Sequence, residues 1–76
     1  MIISDEEKNV LMLVGNNINR IRLEHNLTIK QLSTVSRISE SIILDAEKGN
    51  INLSINQLSS IAVSLEIEVK ELLNIK

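Results

Sequence analysis

Seventy-six residues with a formal net charge of −2 make a chain near the lower size limit for a self-supporting core. The absence of cysteine excludes disulfides and thiolate metal sites, and a single histidine, His25, argues against a histidine-based metal centre. With no Phe, Tyr, Trp or Pro and two glycines, the core must be aliphatic, and the composition favours helices joined by short turns.

Ser4 opens the first predicted helix. Ser4-Asp5-Glu6-Glu7 has the form of a capping box, and its three carboxylates suit the positive end of a helix dipole. Val10, Val14, Ile18 and Ile21 follow at helical spacing and are assigned to the core. Gly15 interrupts this run at a cost of about 1 kcal/mol against alanine, which points to close packing or a slight bend. The helix is expected to end near His25-Asn26, with Asn26 suited to a left-handed position.

Thr28 opens a second, short helix with Gln31 as its capping partner; Leu32 and Val35 are its predicted core face. Ser36-Arg37-Ile38 must then turn tightly. Ser39 caps a third helix running from 40 to about 48. Ile43, Ala46 and Glu47 share one face, Glu40, Ser41, Leu44 and Asp45 look outward, and Ile42 lies between. Gly49 is a helix stop. Ser54, with Gln57, caps a fourth helix whose core face is Leu58, Ile61, Ala62 and Leu65, and a last short helix covers roughly 69–73. No linker, repeat or low-complexity segment is visible, so 1–76 is read as one domain.

Charge is unevenly spread. Residues 1–17 set Lys8 against Asp5, Glu6 and Glu7, and residues 51–76 set Lys70 and Lys76 against Glu66, Glu68 and Glu71. Only residues 18–50 lean basic, by one unit. No apolar run approaches the roughly 20 residues of a membrane span, and MIISDEEK lacks the basic start and apolar stretch of a signal peptide. A cytoplasmic protein without membrane, metal or cofactor is expected. His25 is read as a solvated or dipole-stabilised helix-end residue. The serines, lacking a histidine at recognisable spacing, are read as caps and surface rather than nucleophiles. Glu66, Glu68 and Glu71 are read as a solvated face. Nothing in the pattern argues for an enzyme.

The expectation is therefore an all-α, five-helix fold whose second and third helices form a helix-turn-helix. Ile21-Arg22, Leu27-Thr28, Leu32, Ile38-Ser39, Ile43, Glu47-Lys48-Gly49, Leu53-Ser54, Leu58, Ile61-Ala62, Leu65 and Leu72, in that order and spacing, resemble the lambda-repressor/Cro-type helix-turn-helix family over about 18–73, with the first helix extended at its amino end. Ile21-Arg22-Leu23-Glu24, Asn52-Leu53-Ser54-Ile55 and the long first helix are most similar to restriction-modification controller proteins; small phage repressors also look close.

The resemblance implies roles. Arg22 and Glu47 match a structural salt bridge between helices 1 and 3. Ser39, Glu40, Ser41, Ile42 and Asp45 match base-facing positions. Thr28, Ile29 and the Lys48–Asn52 loop, with Asn50 and Asn52, match backbone-contacting positions, and Lys30 and Arg37 join them as phosphate candidates. The sequence also departs from the family. Ile29 stands where glutamine is usual and cannot hydrogen-bond a phosphate. Arg37 stands where a turn glycine is usual, at about 1 kcal/mol if that position is left-handed. Glu40 and Asp45 can accept from cytosine N4 but are repelled by phosphates, and Ile42 or Leu44 can meet a thymine methyl.

The implied function is a transcription regulator, repressor or controller, that binds operator DNA as a homodimer with helix 3 in the major groove. The alternative is a protein-interaction module, antirepressor- or antitoxin-like, on the same scaffold; acid plus exposed aliphatic on helix 3 favours it. More apolar residues remain than so small a core can bury, and helix 5 with the end of helix 4, Leu65, Ile67, Val69, Leu72, Leu73 and Ile75, is the candidate dimer interface.

Overall fold

The computed structural model describes residues 4–74. Five helices follow one another: α1 (Asp5–Glu24), α2 (Ile29–Ser36), α3 (Glu40–Glu47), α4 (Ile55–Ser64) and α5 (Val69–Leu72), and none among the described residues is long and apolar enough to cross a membrane. Each of the first four starts at a hydroxyl that accepts from the third residue of its helix. Ser4 serves Glu7, Thr28 serves Gln31, Ser39 serves Ile42 and Ser54 serves Gln57. At Thr28 and Ser54 the glutamine amide also accepts from the cap's own N–H, closing a full capping box. Glu7 differs: its carboxylate takes the Ser4 hydroxyl at 3.2 Å rather than the backbone amide.

Three helices end in the same way. The N–H two residues past the cap reaches back five residues, Leu27 to Arg22, Asn50 to Asp45 and Ile67 to Ala62. Each reach needs a left-handed residue, supplied by Asn26 (φ 57°), Gly49 (φ 73°) and Glu66 (φ 59°). Arg37 (φ 61°) is a fourth, at the end of α2.

Ile18, Leu32, Ile43, Ile61, Leu65 and Leu72 are fully buried, and Ile21, Ile38, Ala46, Leu53 and Ala62 complete the core. Burying each large aliphatic contributes about 1.5–3 kcal/mol. α1 packs on α3 and α5, α2 on α3 and α4, and α4 on α5. Two expected core residues are exposed instead. Val10 is 52% exposed because the first turns of α1 lie on the rim of an open groove shared with Ile51. Val35 is 59% exposed because α2 turns Leu32 and Ser36 inward, one helical turn apart.

The tail needs a second correction. Leu65 and Leu72 are completely covered within one protomer, since α4 and the single turn of α5 point them into the core, and neither has surface left for a partner. Ile67 and Val69 are half-buried against the same core, Leu73 is exposed, and Ile75 lies outside the described residues. Asn17 fastens this end of the chain: its buried amide donates to the carbonyls of Leu72 (2.8 Å) and Asn74 (2.9 Å).

Candidate nucleic-acid interface

α3 is fixed from two directions. The turn before it is closed by two serines of α2. Ser33 Oγ donates to the Ile38 carbonyl at 2.6 Å, and Ser36 Oγ accepts from the Ile38 N–H at 3.3 Å. The left-handed Arg37 lets the chain reverse while its own N–H returns to Ser33. Ile38, thus held, drops into the core, and Ser39 starts α3.

The far end of α3 is tied to α1. Arg22 Nε donates to Glu47 Oε2 at 2.7 Å and its Nη2 to Oε1 at 3.0 Å. Nη1 donates to the Leu27 carbonyl at 2.7 Å, and Asn19 adds an amide to Glu47 Oε1 at 2.8 Å. Both charged side chains are over nine-tenths covered. Hydrogen bonding to Glu47 raises the Arg22 pKa above its ordinary value, against desolvation that lowers it, so the guanidinium stays charged. Beside this pair Gly15 lets the backbones touch: a Cβ there would run into the carbonyl oxygens of Ala46 and Glu47. The expected Arg22–Glu47 bridge therefore forms; Asn19, Ser33 and Ser36 are supporting residues that the sequence reading missed.

With its back so held, α3 leaves Ser39, Glu40, Ser41 and Leu44 exposed, Leu44 at 43%. Asp45 is half-buried. Ile42 is half-buried too, packed on the core edge in a groove with Arg37, Asn56 and Gln57. Of the backbone-contact candidates, Thr28, Lys30, Arg37, Lys48, Asn50 and Asn52 are exposed. The Thr28 hydroxyl is engaged as a cap, and the Ile29 side chain packs on the core, leaving that position only its main chain. Among the described residues, Lys30, Arg37 and Lys48 make no ion pair, whereas Arg20 lies 3.4 Å from Glu24. Asn50 and Asn52 face Glu6 and Glu7 across the α1 groove, so this loop carries carboxylates nearby. His25 caps α1, its Nδ1 2.9 Å from the Ile21 carbonyl.

The helix-turn-helix family profile matches residues 18–72. The immunity repressor protein of Bacillus phage phi105 is 38% identical over 58 residues, 76% of this chain and 40% of the repressor. The chain thus spans about two fifths of that curated relative's length. Among solved structures, the restriction-modification controller protein C.AhdI from Aeromonas hydrophila superposes with a TM-score of 0.80 at 27% identity, over 82% of this chain and 94% of the controller. The clp gene regulator ClgR from Corynebacterium glutamicum gives 0.81 at 23% identity, over 84% of this chain and 68% of ClgR. The hypothetical transcription factor NHTF from Neisseria gives 0.83 at 15% identity, over 97% and 84%. The last two likenesses are of fold alone.

Proposed function

The chain belongs to the helix-turn-helix family, whose members named above are regulators rather than enzymes, and on that premise we propose that it binds operator DNA as a homodimer and regulates transcription by occupying a promoter. The observation that carries this reading is the two-sided anchoring of α3. A helix held by a serine-locked turn at one end and a buried ion pair at the other presents Ser39, Glu40, Ser41 and Leu44 as a rigid face. Groove recognition places the amino-terminal residues of such a helix against base edges. Lys30, Arg37 and Lys48 supply the charge for phosphate contacts. Self-association rests on the exposed Leu73 beside Val10, both lining one apolar groove, with the half-buried Ile67 and Val69 earlier in the same tail. Leu73→Asp is expected to give a folded monomer by light scattering. Leu72→Asp is not a fair test, because it places a charge in the core.

The test of DNA binding is gel shift with genomic fragments at about 50 and about 200 mM salt, followed by sequencing of the bound fraction. One enriched inverted repeat with a steep loss of affinity in salt supports the dimeric regulator. A second reading, a protein-binding module, is favoured by the exposed Leu44 beside Glu40. A folded protein that binds no fragment at low salt moves the assignment there.

A further inference from the structure

Resting on the DNA-binding reading, we propose that α3 selects bases by accepting hydrogen bonds and touching methyl groups, so that each half-site offers cytosine or adenine to Glu40 and thymine to Leu44, and guanine is rejected under the carboxylate. Between Ser39 and Glu47 there is no Arg, Lys, Asn or Gln. The face therefore has no amide or guanidinium with which to donate to the N7 and O6 acceptors of guanine. Its donors are two hydroxyls, and these lie 3.3 Å from each other, with Ser39 also occupied as the helix cap. Glu40 is exposed at the amino end of α3 and accepts only. It finds a donor on cytosine N4 or adenine N6 and repulsion from guanine.

Leu44 stands one turn further on the same stripe, about 6 Å along the helix axis, so it meets a different base pair from Glu40. It is 43% exposed, whereas Ile42 is half-buried against the core edge. Leu44 is thus the side chain free to cover a thymine methyl, a position the sequence reading had left to either residue. Charge repulsion from phosphates does not cancel this scheme, because it acts on every sequence alike; it lowers affinity while leaving the preference.

The experiment is selection of the full chain on a random duplex library, then competition with single-base variants of the selected site. Glu40→Gln is expected to change preference at one position, which identifies the base it meets. The native protein is expected to prefer cytosine or adenine there and to lose on the order of tenfold on change to guanine. Replacing thymine by uracil is expected to cost about fourfold at one position, the worth of one methyl group, and Leu44→Ala is expected to abolish that difference. A selected site that favours guanine at the Glu40 position, is unmoved by Glu40→Gln, or binds equally with uracil throughout overturns this scheme while leaving DNA binding intact. Failure to enrich any sequence from folded protein overturns both.

Discussion

On its inward side α3 carries Ile43, Ala46 and Glu47, each met by a defined neighbour; on its outward side Glu40, Ser41 and Leu44 stay exposed. The two sides are interleaved in eight residues, yet they answer to different constraints. The inward side is over-determined: an ion pair with each guanidinium nitrogen hydrogen-bonded, a glycine that permits backbone contact, and no buried side-chain polar atom without a partner among the described residues. The outward side is poor in donors, with no Arg, Lys, Asn or Gln between Ser39 and Glu47. Separate constraint is what allows one fold to serve different ligands.

The largest expected effect comes from breaking the inward side. Arg22→Ala leaves the Glu47 carboxylate buried with Asn19 as its remaining partner, and removing one member of such a pair costs about 3–5 kcal/mol. A chain of this length has about 4–11 kcal/mol in all, so the variant is expected to sit near the edge of folding in urea melts. Arg22→Met with Glu47→Leu removes both charges and is expected to recover much of the loss. The pH dependence has a definite sign. A raised arginine pKa gives stability that is full below the unfolded value and is lost only in strong base. The gap between wild type and Arg22→Ala is therefore expected to stay open as pH rises from neutrality to about 9. A gap that closed over that rise would mean that a group other than the Arg22 guanidinium carries the difference.

Gly15→Ala tests the same seam more gently. Alanine gains about 1 kcal/mol of helix propensity, but its Cβ meets two backbone oxygens that cannot rotate away. Overpacking of this kind costs about 1–3 kcal/mol, so a net loss of up to about 2 kcal/mol is expected by thermal unfolding. A stabilised variant would show that α1 and α3 can slide apart, and that the reading face is less rigid than its contacts imply.

What the sequence disclosed follows the range of each interaction. Caps at Ser4, Thr28, Ser39 and Ser54 were legible because hydroxyl and amide lie three residues apart. Helix ends at Asn26 and Gly49 were legible for the same reason. Val35 was misplaced because i+3 and i+4 from Leu32 both satisfy a helical period; apolarity favoured 35, while the turn needed a hydroxyl at 36. Val10 was misplaced because periodicity tells which side of a helix is apolar, not how far its cover extends. Leu72 reads as interface, and Leu65 as both core and interface, because the apolar spacing of the tail does not tell which of its residues fill the core. Asn17 stood on the stripe between Val14 and Ile21, a visible sign of a satisfied buried amide. Its acceptors at Leu72 and Asn74 are over fifty residues away and were not legible.

The smallest effect sharpens the comparison most, because it carries opposite signs on the two sides. Arg37 holds a left-handed conformation that glycine adopts freely, at the hinge between the anchored scaffold and the exposed face. Arg37→Gly is expected to stabilise the fold by up to about 1 kcal/mol. If Arg37 contacts phosphate, the same change is expected to weaken DNA binding for all sequences equally and to flatten the salt dependence by about one counterion. Arg37→Lys keeps both the charge and the strained backbone, so stability and salt slope are expected to stay near wild type. Gain of stability with loss of affinity would mark Arg37 as a residue kept for the ligand against the preference of the fold. Gain of stability with unchanged binding would place the strain outside the interface, and the phosphate charge would then have to come from Lys30 and Lys48.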